Sequence, residues 1–341
     1  MHGSMQIRTL LVRWHRIFLL MYSLLFKFIS IWVQIRDFYL YFFRHAIIVN
    51  AWLDDHTWNG VRHRNWGDDI NYYFIKELTQ RPVVSFFNFR LARKLNFTNY
   101  QCIGSLLGTS GYTNIRTVVW GAGSFGEFKG DIPVKILSVR GKLTRDVLIN
   151  KGLECPEVYG DPALLIPLIY RPPIFTSSSS FCRVKKDGNN QVFPKFVKQW
   201  NLGIIPHIQD FNHPVLEKVR KFQSEEVLII DLANYDNWTD VIDQICSCKK
   251  IISSSLHGLI VSDAYQIPNC WVKFFGNMKG GYFKYRDYAS AVGRDMVNPI
   301  AISSYEDIFM IKSSMFSMIE VNLLNDLQKG LIASSPFTTV I

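Results

Sequence analysis

Short apolar segments that read as strands alternate with helix-like segments along most of this chain, and they do so in two blocks. In the first block the strand signals are "AIIVNAW", "IRTVVWGAG" and "VKILSVRG", with helices expected at 69–78 and from about Thr144. The segment "EVYGDPALL" adds a fourth strand and a turn to the pattern. A stretch rich in Pro, Ser, Lys and Gly at 171–191 predicts a long loop that separates the two blocks.

The second block repeats the alternation. Its strand signals are "NLGIIPH", "EVLIIDL", "KKIISSS" and "PNCWVKF", and its helix signals are "HPVLEKVRKFQ", "WTDVIDQICSC" and "LHGLIVSDAYQ". The pattern predicts an α/β protein with two Rossmann-like doubly wound domains, whose ligand site lies in the cleft between strand carboxyl ends. The expected boundaries are 46–175 for the N-terminal domain, 176–200 for the interdomain loop, 201–300 for the C-terminal domain and 301–341 for a helical tail.

The segment 5–45, before the first block, is rich in large apolar residues but is interrupted by charge. Its longest uncharged run, 17–26, is shorter than the roughly 20 residues that span a bilayer. Polar and apolar positions fall on opposite faces of a helix, which predicts an amphipathic helix on a membrane surface. The polar face carries Arg13, Arg16, Ser23, Lys27, Ser30 and Gln34, and the apolar face carries Leu24, Leu25, Phe28, Ile31, Trp32 and Ile35. The alternative is a helix packed on the protein's own core with its basic face in solvent.

The charge balance favours anionic partners. The chain has 38 basic and 28 acidic side chains, a net charge of +10. Phosphorylated metabolites and anionic lipid fit this excess, whereas the absence of a nucleic-acid motif argues against nucleic acid. Six cysteines without a CxxC pair indicate a reducing compartment and no zinc site.

Three glycines at Gly121, Gly123 and Gly126 spell GxGxxG after a strand. A dinucleotide site would need a helix to follow and an acid at the end of the next strand. Here Pro133 indicates a loop, and Arg140 stands where the acid should be. The glycines therefore predict a tight turn or a close backbone approach to a ligand.

Polar residues follow several strands. In "RGKLTRDVL", Arg140 and Arg145 lie near a helix N-terminus, where they either bind an anion or form internal salt bridges. In "NWGDDIN", Asp68 and Asp69 either cap a helix or bind sugar hydroxyls and act as a base. His257 begins a helix after the 253–255 serine run, one of which is expected to cap it, and the helix dipole should lower the histidine pKa.

Four segments, in their order and spacing, make residues 46–295 resemble the polysaccharide pyruvyltransferase family. They are "NWGDDIN", "SVRGKLTRDVLINKG" with "CPEVYGDPALL", "GIIPH", and "IISSSLHGLIVSDAYQIPNCWV". The resemblance implies a fold similar to GT-B glycosyltransferases. It also implies transfer of the carboxyvinyl group of phosphoenolpyruvate to a sugar of a bacterial capsule or exopolysaccharide, or its polyprenyl-diphosphate-linked precursor. A pyruvate ketal forms, phosphate leaves, and no cofactor or metal is expected.

The resemblance also implies roles for individual residues. His257 falls on a histidine to which we assign general acid/base catalysis, and Asp69 is a second catalytic candidate. Donor-binding candidates are Arg140, Arg145, Ser255, Lys273, Lys279, Lys284, Arg286 and His207, with 276–288 expected to form a mobile loop over an anionic ligand. Acceptor-binding candidates are Trp66, Asp68 and Asn71. Some family members carry an arginine where this chain has Ser255, so Lys273 or Lys284 would have to replace that cation.

The expected location is the cytoplasmic side of the plasma membrane, with peripheral association through the N-terminal segment. Two other functions fit the same features. One is a GT-B-type glycosyltransferase that uses a nucleotide sugar, which would bind UDP- or GDP-sugars. The other is a non-catalytic protein that binds saccharide or membrane.

Overall fold

Two parallel five-stranded sheets form the centre of the molecule, as the strand–helix alternation predicts. Their strands are short and mostly buried, which is typical of parallel sheets covered by helices on both faces. The computed structural model describes residues 21, 25, 27–53, 56–57, 60–61, 65–108, 113–173, 199–222, 226–275, 281–295 and 298–338.

The first half of the chain supplies the first sheet and its helices. Residues 27–44 form helix α1. The elements that follow are β1 (Ile47–Val49), a small hairpin of β2 (His56–Thr57) and β3 (Gly60–Val61), α2 (Trp66–Thr79), β4 (Val83–Ser85), α3 (Arg90–Lys94), β5 (Asn99–Gln101), β6 (Thr117–Trp120), β7 (Lys135–Ser138), α4 (Lys142–Ile149), a 3₁₀ turn (Pro162–Leu165) and α5 (Ile166–Ile169).

The second half repeats the pattern and ends in helices. Its elements are β8 (Leu202–Ile205), α6 (Pro214–Phe222), β9 (Val227–Ile229), α7 (Trp238–Cys246), β10 (Ile251–Ser253), α8 (Leu256–Ala264), β11 (Asn269–Lys273), α9 (Phe283–Ala291), β12 (Ile300–Ala301), α10 (Tyr305–Met310), a 3₁₀ turn (Ser313–Met315) and α11 (Val321–Ala333).

The two sheets share one topology. The first has the order β4-β1-β5-β6-β7 and the second β9-β8-β10-β11-β12, so both read 2-1-3-4-5 when strands are counted along the chain. Every described pair within these sheets is parallel. The order of the connections reverses between β1 and β5 and between β8 and β10, and ligands of such sheets bind beyond the strand carboxyl ends at these points.

One hydrophobic core joins the two halves. It runs from the first sheet through α2, α5 and α8 to the second sheet, and the Trp66 indole donates to the Trp238 carbonyl across it (2.7 Å). Helix α11 returns to the first sheet, where the Trp120 indole donates to the Leu331 carbonyl (3.0 Å). The expected C-terminal tail therefore packs on the N-terminal half.

Helix α1 packs apolar side chains against the cluster of β1 and β4 and bonds the start of α3 through polar side chains. Gln34 donates to the Asn88 carbonyl (2.5 Å) and accepts from the Arg90 amide (2.8 Å), while the Arg90 guanidinium donates to Ser30 (3.1 Å). The side turned away from the protein is apolar, with residues 43–65% exposed: Phe28, Ile31, Ile35, Phe38, Tyr39, Phe42 and Phe43. No helix in the described part of the chain is long and apolar enough to cross a membrane.

Several local predictions are wrong. "EVYGDPALL" forms one bridge, between Val139 and Tyr159, and then a 3₁₀ turn, because Asp161 caps the turn by accepting from the Ala163 amide (3.0 Å). The expected loop at 276–288 becomes helix α9 from Phe283 onward. Strands β4 and β5 were not predicted, and β5 ("NYQ") has no apolar run to signal it.

Candidate functional site

The loop after β10 leads directly into the N-terminus of α8. Ser255 occupies the N-cap position, but its side chain makes no capping hydrogen bond, so the prediction of a serine side-chain cap is wrong. Instead the Ser253 hydroxyl accepts from the Ser255 amide (3.0 Å) and stabilises the turn from within. This turn places His257 in the first turn of α8, at the switch point of the second sheet.

His257 is held against the N-terminus of α2, which follows the first sheet's β1. A Cβ atom on Gly67 would lie 2.1 Å from His257 Nδ1, so only glycine allows this approach. The other ring nitrogen, Nε2, is buried and has no hydrogen-bond partner among the described residues. Burial, then the charge of Lys284 and Arg140, lowers the His257 pKa to about 3, so the imidazole is neutral.

Lys284 brings a cation from α9 to the same place. Burial is the main cause that lowers its pKa from 10.5 to about 8, and Arg140 adds to the effect. Asp68 and Asp210 oppose that shift. The ammonium lies over the Tyr285 ring, 5.2 Å from its centroid. We call the group of His207, His257, Lys284, Arg140 and Asp210 the basic site.

The turn after β8 supplies His207 and Asp210 to the basic site. The His207 amide donates to the Ser254 hydroxyl (2.9 Å), and that hydroxyl donates to Asp210 Oδ2 (2.5 Å). Burial and Lys284 lower the His207 pKa to about 4. The Tyr285 hydroxyl donates to the Ser254 carbonyl (2.7 Å), which ties α9 to the β10–α8 loop.

Arg140 is the wholly buried arginine of the basic site. Its Nε donates to Asp287 Oδ2 (2.9 Å), and its other nitrogens donate to the Ser105 hydroxyl (2.7 Å) and the Ser124 carbonyl (3.0 Å). The GxGxxG segment is a loop, as predicted, and a Cβ atom on Gly123 would lie 2.1 Å from Arg140 Cζ, so this glycine makes room for the arginine. Of the two alternatives for Arg140, an anion or an internal salt bridge, the structure contains the salt bridge, with Asp287.

Asp287 of α9 also organises the N-terminus of α4. Its Oδ1 accepts from the Thr144 amide (2.7 Å), and its Oδ2 accepts from the Thr144 hydroxyl (2.7 Å). Helix α4 begins at Lys142 with Gly141 at the N-cap, not at Thr144 as expected, because Asp287 supplies the missing acceptor from the other half of the molecule.

The residues predicted from "NWGDDIN" lie around the α2 N-terminus. Asn65, rather than Asp68, is the N-cap, and Asn65 Nδ2 donates to Asp68 Oδ2 (2.6 Å). Asp69 Oδ2 accepts from the Tyr235 hydroxyl (2.6 Å). The Asn71 amide bonds the backbone of Ile103, and Trp66 lies in the core between the halves. Asp68 is therefore the one of these four predicted residues that contributes its charge to Lys284.

The structure does not gather the remaining predicted donor-binding cations. Arg145 donates to the Cys155 carbonyl (3.1 Å) and pairs with Glu157 (3.2 Å). Lys273 Nζ is 3.4 Å from the Tyr282 hydroxyl, and Arg286 is exposed, with its guanidinium 5.8 Å from the Tyr282 ring centroid. Lys279 lies outside the described residues.

Sequence reasoning missed Asp210, Asp287, Tyr235 and Tyr285. Had a helix been predicted at 283–291, Asp287 could have been found as a site residue. Lys284 and Asp287 are three residues apart in that helix and so share a face. No sequence signal pointed to Asp210 or Tyr235, because their partners are distant along the chain. Among the described residues, no group of three or more His, Cys, Asp or Glu side chains could hold a metal ion.

The fold and the site define a class of protein: a doubly wound α/β protein with a partly buried basic site at the strand carboxyl ends. Residues 133–273 match the family model of polysaccharide pyruvyl transferase, which confirms the resemblance seen in the sequence. The matched segment is therefore a polysaccharide pyruvyl transferase domain, which supports a pyruvyltransferase enzyme. It is also 28% identical over 237 residues to an uncharacterized protein of Acanthamoeba polyphaga mimivirus, covering 68% of this chain and 72% of that protein. No solved structure matches it.

Proposed function

We propose that this enzyme takes its pyruvyl group from phosphoenolpyruvate and adds it to a saccharide as a ketal, with His257 and Lys284 at the reacting centre. One observation carries the proposal. A neutral histidine with an unpartnered Nε2 and a half-buried lysine meet where α2 and α8 begin, and the histidine lies inside the segment that matches pyruvyl transferases.

Lys284 is the donor-binding cation that best fits the structure. Phosphoenolpyruvate carries a phosphate and a carboxylate, and the N-terminus of α8 adds backbone N–H groups that favour anions. Arg140 is already bound by Asp287, Ser105 and Ser124, so it acts through its charge. Lys284 would therefore replace the arginine that some family members carry at the Ser255 position.

The neutral His257 suits a general base. In the proposed reaction, the methylene carbon takes a proton from solvent and becomes a methyl group, while His257 Nε2 accepts the proton of a sugar hydroxyl whose oxygen forms a bond to C2 of the donor. His257 then returns its proton to solvent. The C2–O bond to phosphate breaks, and a second hydroxyl closes the ketal as its proton passes to the departing phosphate. Lys284 stabilises the departing phosphate, and anion binding raises the pKa of both side chains.

Three finer features complete the proposal. The two sheets form a GT-B-like pair with the substrate between them. The acceptor belongs to a bacterial surface polysaccharide or its polyprenyl-diphosphate-linked precursor. The enzyme works at the inner face of the plasma membrane, which the outward apolar side of α1 supports.

The test is phosphate release from phosphoenolpyruvate by the purified protein with a panel of saccharides. Wild type should release phosphate and increase the acceptor mass by pyruvate less water. His257→Ala should be inactive. His213→Ala should remain active, because the His213 ring meets Phe275 edge-on (4.5 Å) and the substitution keeps the backbone bond from residue 213 to the Asp210 carbonyl. Phosphate release no higher than the His257→Ala background would contradict the proposal, and a thermal shift with a sugar nucleotide would support the glycosyltransferase alternative.

A further inference from the structure

Beside α1, at the opposite end of α2 from the basic site, the structure contains a cation-rich cavity. It has a volume of about 370 Å³. Arg36 and Arg44 of α1, Lys76 of α2 and Arg81 line it, against a single carboxylate, Glu77. Because α2 has 14 residues, its rise separates this cavity from Gly67 and His257 by roughly 20 Å.

The cavity adjoins the apolar side of α1. Arg44 directly follows Phe42 and Phe43, which are 45% and 65% exposed. The exposed apolar side and the cations therefore form one continuous surface at the C-terminal end of α1. Arg36 is paired with buried Asp37 (2.6 Å), and Arg81 donates to the His45 carbonyl.

We propose that this surface docks the enzyme on an anionic lipid bilayer, with the apolar side of α1 in the interface and a lipid phosphate in the cavity between α1 and α2. Large apolar side chains pointing away from the protein suit the acyl boundary of a membrane. The charge of the cavity complements the phosphates of that boundary. A zwitterionic membrane would accept the apolar side of α1 but would not provide the net negative charge that complements the cations of the cavity.

The inference deepens the membrane location in the proposed function and adds a head-group site. Its test uses vesicle binding by the full chain without phosphoenolpyruvate or acceptor. If the protein does not bind vesicles, the docking proposal fails but the proposed transfer reaction is not contradicted. If the protein has no transferase activity, vesicle binding can still be measured.

The experiment is co-sedimentation with vesicles of phosphatidylcholine, with or without phosphatidylglycerol. Wild type should bind the anionic vesicles, and millimolar inorganic phosphate should not release it. The triple variant R44Q/K76Q/R81Q should bind roughly 100-fold more weakly, since each basic residue contributes about a fivefold factor at an anionic surface. The matched control K218Q/K221Q/K249Q removes the same charge from exposed positions elsewhere and should stay within about threefold of wild type.

A second variant tests the apolar side. I31S/I35S changes two residues that are 61% and 64% exposed, so it should fold normally and lose binding to anionic vesicles. Equal binding of wild type to both kinds of vesicle, equal loss in the two triple variants, release by inorganic phosphate, or retained binding by I31S/I35S would each overturn the proposal. Thermal melts of all variants confirm folding.

Discussion

Replacing Lys284 by methionine is expected to stabilise the protein while abolishing donor binding. Burial lowers the Lys284 pKa from 10.5 to about 8, so the folded protein holds a proton there less tightly than the unfolded chain does. At about 1.4 kcal/mol per pKa unit, keeping the ammonium in place costs about 3 kcal/mol at neutral pH. Methionine fills a similar volume without charge, so the free energy of unfolding should rise by about 1–3 kcal/mol.

The effect has a defined pH dependence. Between about pH 8 and 10.5 the unfolded chain binds more protons at this lysine than the folded protein does, so wild-type stability rises with pH across that range. The advantage of Lys284→Met should therefore be full at pH 7 and nearly gone above pH 10. The affinity of the wild-type enzyme for the donor should fall as pH rises through about 8, because Lys284 loses its positive charge there.

Urea unfolding at neutral and alkaline pH, together with calorimetric titration of phosphoenolpyruvate, measures both effects. Lys273→Met is the matched control, because Lys273 ends β11 and approaches the Tyr282 hydroxyl rather than the basic site. It should show neither the pH-dependent stabilisation nor the loss of binding. The reasoning is refuted if Lys284→Met is less stable than wild type, if its advantage is equal at both pH values, or if it still binds the donor.

Other changes test the remaining contacts. Gly67→Ala should displace His257 and reduce kcat at least tenfold. The control Gly330→Ala, also in a helix, should keep activity because its Cβ meets nothing closer than 3.6 Å. Equal kcat values in the two variants would contradict the contact between Gly67 and His257. Asp287→Ala should lower the free energy of unfolding in urea by about 3–5 kcal/mol, because it leaves the buried Arg140 unpaired. Glu157→Ala, at an exposed ion pair, should lower it by under about 1 kcal/mol. Similar losses in the two variants would contradict this reasoning. The pKa values of about 3 for His257 and about 4 for His207 predict that stability falls as pH drops below about 6.5. Thermal melts across this pH range check this, and a flat profile would refute it.

The fold was largely predictable because its signal is local. Buried parallel strands are apolar runs, and each helix of the second block, such as Trp238–Cys246, carries its own periodicity. Strand order is not local, and neither is the return of α11 to the first sheet, where Trp120 bonds Leu331. These features depend on contacts between residues far apart in the chain.

The site was predictable only in part, for the same reason. His257 and Lys284 could be named from the sequence, because it shows both the loop after a strand that precedes His257 and the cluster of cations that contains Lys284. Distance along the chain could not separate Lys284 from Arg286, whereas helix α9 turns one toward His257 and leaves the other exposed. The contact between Gly67 and His257 joins residues of different halves.

The most direct test of the account follows the bridging oxygen of phosphoenolpyruvate. The donor is labelled with oxygen-18 between C2 and phosphorus and incubated with wild-type enzyme and an active saccharide. Because the proposed reaction breaks the C2–O bond, the label should appear in inorganic phosphate while the saccharide gains pyruvate less water, and neither product should form with His257→Ala. Label in free pyruvate, or a phosphorylated saccharide, would show that the P–O bond breaks and would contradict the account.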